Sequence, residues 1–316
     1  MSYLRLLRLP NLLIVALTQY FMRYLIVEPL LIQRGFELQM PPLPFFLLVL
    51  ATVSLTAAGY VINDYFDTRS DYINRPGRVV VGTSVSRRKA ILLHTLLNAL
   101  GVVLGVYLAI YVKIPYLALF FIAVSGILWL YSTTYKRRFL IGNLIVALLT
   151  GLVPVLVPLF EVPLLHEAYA PVIATGQTSF NFLFYWVGAF GFFAFITSVI
   201  REIIKDVQDY QGDKEIGCKT LPVKWGLSGS KRVIFSLIII TAAALGVIYV
   251  KLLPHIFVFA YFLIALWIPF VILIVLVLKS NESKDFAKAS GWTKFIMLTG
   301  ILFAFVVFFM IKNNVL

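Results

Sequence analysis

NDYFDTRSD at residues 63–71 and DVQDYQGD at residues 206–213 share one spacing, D-x-x-D-x-x-x-D, and their first aspartates stand 142 residues apart. Each stretch closes a long apolar run. Asp64, Asp67 and Asp71 stand at i, i+3 and i+7, as do Asp206, Asp209 and Asp213, so on a helix each trio projects from one face. Either stretch alone would read as solvated acids at a helix end. Together they take six of the 14 acidic residues in the chain and place them at equivalent positions. The separation hints at an internal repeat in which each half contributes one acidic helix end. Outside these acids the two halves share little sequence.

The surroundings of the trios set the class of the protein. Of the 316 residues, 61% are hydrophobic and 13% charged, and mean hydropathy is +0.96, so lipid is the solvent for most of the chain. Nine apolar segments follow, at roughly 12–33, 44–63, 90–112, 114–132, 140–160, 181–204, 232–251, 254–279 and 292–311. The fold class expected is all-α: a polytopic membrane protein forming one transmembrane domain over residues 1–316. The single Cys218 excludes an internal disulfide, and His94, His166 and His255 lack the spacing of a zinc site. The opening MSYLRLLRLPNLLIVALTQ has no small-residue cleavage site after its apolar run, which argues against a removed signal peptide.

Charge gives the orientation. With nine spans, the side that holds the N-terminus also receives segments 64–89, 133–139, 205–231 and 280–291, and with them and the adjoining span ends 22 of the 27 basic residues. The other five are Arg23, inside the first span, and Arg34, Lys113, Lys251 and Lys312. The positive-inside rule makes the N-terminal side cytoplasmic and points to the cell membrane. The net charge of +13 reports this topology and attraction to anionic lipid head groups. Charge spread over short loops is a poor fit to nucleic acid.

By the same parity, both aspartate trios emerge on the cytoplasmic side. Three carboxylates stacked on one face near a membrane repel each other and call for a cation. Hard divalent ions suit carboxylate oxygens, and magnesium in particular takes one or two carboxylates together with substrate phosphate oxygens.

These residues resemble the UbiA superfamily of intramembrane prenyltransferases. Its first signature, N-D-x-x-D-x-x-x-D, is present as Asn63, Asp64, Asp67 and Asp71, and its second as Asp206, Asp209 and Asp213. The likeness continues through INRPGRVVVGTSVSRR, through IGN at 141–143, and through REIIKD and GCKTLP on either side of the second trio. The resemblance implies a bundle of about nine helices around a central cavity with a cytoplasmic cap. It also implies a pair of magnesium ions, held by the six aspartates, that bind an isoprenyl diphosphate whose prenyl group passes to a lipophilic acceptor. Such chemistry excludes water from an allylic cation and houses a greasy tail, as a lipid-embedded cavity does.

Further residues follow from the same likeness. Lys136 in LYSTTYKRR stands where the family carries a phosphate-contacting lysine, with Tyr131 shortly before it. Arg75 and Arg78 fall in the capping loop, and Arg8 and Asn11 match a polar pair at the start of the first helix. Asn63 is expected to orient Asp67 or accept from a metal-bound water, and Lys205 to balance charge or contact phosphate, with Glu202 beside it. Arg23 and Glu28 are intramembrane charges in need of partners, and contact with each other is one option. REIIKDVQDYQGD resembles the branch of archaeal-type geranylgeranylglyceryl-phosphate transferases and of the homogentisate and chlorophyll enzymes. RVVVGTSVS departs from the R-P-L-P-S-G pattern of ubiquinone-type members. A geranylgeranylglyceryl-phosphate acceptor is therefore the preferred reading and an aromatic quinone precursor the alternative. From a different class, a cation-binding transporter would place its acids nearer the bilayer midplane.

Overall fold

The computed structural model describes residues 2–74, 77, 79–174, 176, 178–282 and 285–315. Among them are nine helices long and apolar enough to cross a membrane: Leu9–Ile32, Pro42–Phe66, Arg87–Tyr111, Pro115–Thr133, Ile141–Ala168, Asn181–Gln208, Leu221–Lys251, Ile256–Lys279 and Phe286–Lys312. These are called the first to ninth spans. No strand occurs among the described residues beyond an isolated bridge between Val81 and Val85. A helix satisfies its own backbone groups, which is the condition for crossing hydrocarbon.

Contacts divide the chain into two units, Met1–Tyr135 with Leu152–Gly188, and Lys136–Gly151 with Ala189–Leu316. The first unit is organised by the second span, which is largely buried and packs on the third. Close packing there depends on a bare backbone: a Cβ on Gly101 of the third span would sit 2.6 Å from Leu55 Cγ of the second, so any side chain would displace that leucine. The first span widens into a π-helical turn at Met22–Val27 just before Pro29. Proline cannot donate to the carbonyl four residues back and crowds it, and the wider turn makes room for the ring.

Arg23 lies in that turn and is almost fully buried. Its partner is Glu161 of the fifth span, at 3.3 Å, and it also donates to the Met40 carbonyl. The other Glu161 oxygen accepts the backbone N–H groups of Gln39 and Met40. The pairing of Arg23 with Glu28 that the sequence allowed is thus replaced by an ion pair across two spans.

The second unit repeats the proline device. A π-turn at Leu263–Trp267 precedes Pro269 in the eighth span. Pro269 leaves the Ala265 carbonyl without its helical donor, and Thr299 Oγ1 of the ninth span supplies one at 2.9 Å. Tyr261 hydroxyl donates to Thr299 O at 2.6 Å and Trp292 Nε1 to Pro269 O at 2.8 Å, so the polar tips of half-buried rings find carbonyls on the neighbouring span.

Span ends differ from the sequence reading where local signals mislead. The fifth span continues through Pro154, Pro158 and Pro163 to Ala168, well beyond position 160. The seventh begins at Leu221, eleven residues before the expected 232, with the backbone leaving the helical region at Gly226 (φ 69°, ψ −178°).

Candidate active site

Both trios have the same local build. The second span ends at Phe66, a short helix covers Thr68–Asn74, and Asp67 stands at the joint with φ −85° and ψ −1°. The sixth span ends at Gln208, a short helix covers Tyr210–Glu215, and Asp209 stands at the joint with φ −94° and ψ 9°. Helical bonding runs through both joints: Asp67 N donates to Asn63 O and Asp71 N to Asp67 O, each at 2.9 Å. In the second copy Asp209 N donates to Lys205 O at 2.9 Å and Asp213 N to Asp209 O at 3.0 Å. The i, i+3, i+7 positions therefore keep to one side of the chain. The Thr68 hydroxyl donates to the carbonyls of Asp64 and Tyr65, and the Ser70 hydroxyl donates to the Asp67 carbonyl beside Asp71 N.

The first carboxylate of each trio is gripped from another element. In the first unit Arg8 Nη2 donates to Asp64 Oδ1 at 2.6 Å. Arg8 caps the first span in the left-handed region (φ 53°, ψ 50°), a conformation that costs a non-glycine residue about 1–2 kcal/mol. Its guanidinium also lies 4.8 Å from the centre of the Tyr60 ring, whose hydroxyl accepts from Asn11 Nδ2 at 3.4 Å. Asn11 thus joins the same group. Behind it, Leu6, Val61, Val80, Val81, Val85 and Ala90 form a buried cluster that fastens the loop after the first trio to the helix carrying it.

In the second unit Asn143 Nδ2 donates to Asp206 Oδ2 at 2.8 Å from the first turn of the fifth span. Asp213 is buried, and its carbonyl accepts from Cys218 N at 2.8 Å. Lys205 pairs with Glu202 at 2.7 Å, and Arg201 reaches the same carboxylate at 3.0 Å. Both cations thus converge on the one carboxylate of Glu202.

Asn63 and Tyr131 lie half-buried in the second and fourth spans, and Lys136 lies half-buried in the turn Tyr135–Arg137. Arg75 and Arg78 lie outside the described residues. Two contributors, Tyr60 and Asn143, carry little mark in the sequence. Tyr60 reads as one more aromatic in an apolar run. Asn143 stood in the quoted IGN without a role, and its signal was an amide inside LIGNLIVALL.

No three His, Cys, Asp or Glu side chains among the described residues group to form a metal cage. Seven residues of helix place the ends of a trio about 10 Å apart, too far to close on one ion. Such a set fits a metal that takes one or two carboxylates and fills its remaining positions with water and substrate oxygens, which describes magnesium.

The sequence profile described as the UbiA prenyltransferase family matches residues 35–300. The chain belongs to that family. A digeranylgeranylglyceryl phosphate synthase of Methanobrevibacter smithii is 33% identical over 274 residues, 84% of this chain and 86% of that one. Among solved structures, a chain from a study of digeranylgeranylglyceryl phosphate synthase in membranes aligns with a TM-score of 0.62 at 24% identity, over 96% of this chain and 98% of its own. A UbiA homologue of Archaeoglobus fulgidus bound to DMAPP and Mg2+ aligns at 0.55 and 18% identity, over 97% and 99%. The UbiA fold and the prenyltransferase class thus agree with the chemistry that the two acidic signatures implied.

Proposed function

We propose that this prenyltransferase moves a geranylgeranyl group from its diphosphate to the glycerol hydroxyl of geranylgeranylglyceryl phosphate. The observation that carries the reading is the pair of identically built acidic joints, each with its first carboxylate fixed from a second element. The relative from Methanobrevibacter smithii supports the acceptor, and the Archaeoglobus fulgidus homologue bound to DMAPP and Mg2+ supports the donor and the metal.

Asp64, Asp67, Asp71, Asp206, Asp209 and Asp213 would hold a pair of magnesium ions, which neutralise the departing diphosphate when bound. Arg8 and Asn143 keep Asp64 and Asp206 in place. Asn11, Asn63, Arg78, Tyr131, Lys136 and Lys205 bind the substrate, with the lysines directed to phosphate. The allylic C–O bond breaks with its electron pair leaving on pyrophosphate. The acceptor hydroxyl oxygen then bonds to that carbon and releases its proton. In this reading both trios work at the cytoplasmic face of the cell membrane.

Purified full-length protein supplied with geranylgeranyl diphosphate and magnesium should form a second ether on geranylgeranylglyceryl phosphate, read by mass spectrometry of the lipid product. Turnover of an aromatic quinone precursor in place of the glycerol phosphate would overturn the acceptor assignment and leave the prenyltransferase class intact.

A further inference from the structure

The loop that ends the fourth span and the segment that follows the second trio meet in the second unit. Lys219 N donates to Arg137 O at 2.8 Å. Beside that bond the Phe139 and Trp225 rings meet at a tilt of 57° with centroids 5.1 Å apart, and Lys224 Nζ lies 5.0 Å from the centre of the Phe139 ring. Trp225 is 56% exposed although it is large and apolar. It stands at the break where the backbone leaves the helix at Gly226. Arg137, Lys219 and Lys224 are exposed and have no acidic partner among the described residues. Next to Lys219, Thr220 is 3% exposed, and its hydroxyl has no hydrogen-bond partner among the described residues.

An unsatisfied buried hydroxyl calls for a partner that the protein does not supply. Arg137, Lys219 and Lys224, on the two segments joined beside it and without an acidic partner among the described residues, call for an acceptor carrying negative charge, and phosphate oxygens accept from hydroxyl, ammonium and guanidinium alike. Exposed Trp225, packed on half-buried Phe139, is of the amphipathic type that lies at head-group depth in a bilayer. Neither the trios nor the residues assigned to the diphosphate take part.

We infer that Arg137, Lys219, Thr220 and Lys224, floored by Phe139 and Trp225, form a binding site for the phosphate of an anionic membrane phospholipid. The exposure of its cations and of Trp225 favours a lipid of the surrounding leaflet over a molecule drawn into the catalytic cavity. Lys224 over the Phe139 ring presents its ammonium to the head group while the rings contact the upper acyl chain.

The test is native mass spectrometry of the full-length protein in detergent, titrated with phosphatidylglycerol or phosphatidylcholine, without prenyl substrates. The wild type should retain phosphatidylglycerol selectively. Affinity should fall roughly fivefold for each cation neutralised in Arg137→Gln, Lys219→Gln and Lys224→Gln, and Lys224→Arg should restore it. Equal retention of the two lipids, or unchanged retention in the three neutralised variants, would overturn the proposal. A rise in the KM for the phosphate-bearing acceptor with unchanged lipid retention would also overturn it, by assigning the cluster to substrate. Each variant alters an exposed side chain, and an unshifted melting temperature in lipid-free detergent confirms folding. Should any variant fail that check, selectivity between the two lipids in the wild type still decides the matter.

Discussion

Asp64 and Asp206 occupy matching positions yet are held by different chemistry. Arg8 brings a full positive charge to one, and Asn143 brings only an amide N–H to the other. The Arg23 and Glu161 pair shows what a charge needs deeper in the apolar region: side-chain exposures of 3% and 1%, two backbone N–H donors for the carboxylate and a carbonyl for the guanidinium. Removing one member strands the other without its counter-charge. Glu161→Ala should therefore cost about 3–5 kcal/mol of stability, seen as a lowered melting temperature in detergent. Glu161→Ala with Arg23→Met should recover much of that loss, and equal melting of the single and double variants would contradict the pairing. Glu161 escaped the sequence reading for a physical reason. Its nearest sequence neighbours are apolar, and its partner lies 138 residues away, a distance at which no periodicity speaks.

At the scale of elements, residue spacing was enough to predict both acidic faces, because a D-x-x-D-x-x-x-D pattern has few other uses at a helix end. Span existence was legible as well, since hydropathy over about 20 residues leaves little choice in lipid. Span ends were less so. Proline reads as a terminator, yet in the fifth span three prolines stand inside one helix. The eighth span shows how a neighbouring helix compensates. Pro269 deprives the Ala265 carbonyl of a donor, and Thr299 Oγ1 supplies it across the interface. Thr299→Val should cost about 1 kcal/mol, measured by equilibrium unfolding in micelles. On a Pro269→Ala background, where the backbone N–H is restored, the same substitution should cost markedly less. Equal costs in the two backgrounds would show that the hydroxyl does not serve the carbonyl. The joints at Asp67 and Asp209 were beyond reach of pattern alone, because a ψ near zero within continuous helical bonding leaves no mark in composition.

Over the whole molecule, a net charge of +13 and the gathering of 22 of 27 basic residues on one set of loops and their adjoining span ends could be read from the sequence, and the same loops carry both trios. A cavity for the prenyl chain was implied only by family likeness, since apolar residues facing lipid and apolar residues facing a prenyl chain look alike in sequence. The trios fall in separate contact units, and the claim with most at stake is that both serve one magnesium-dependent transfer. The direct measurement is single-turnover release of pyrophosphate from geranylgeranyl diphosphate by the wild type, Asp67→Asn and Asp209→Asn, each across a magnesium titration. The account predicts magnesium-dependent release in the wild type and a loss of at least about a thousandfold in either variant, in line with the removal of an electrostatic group acting on a leaving charge. Near wild-type release by either variant, or release by the wild type in the presence of a chelator, would contradict it.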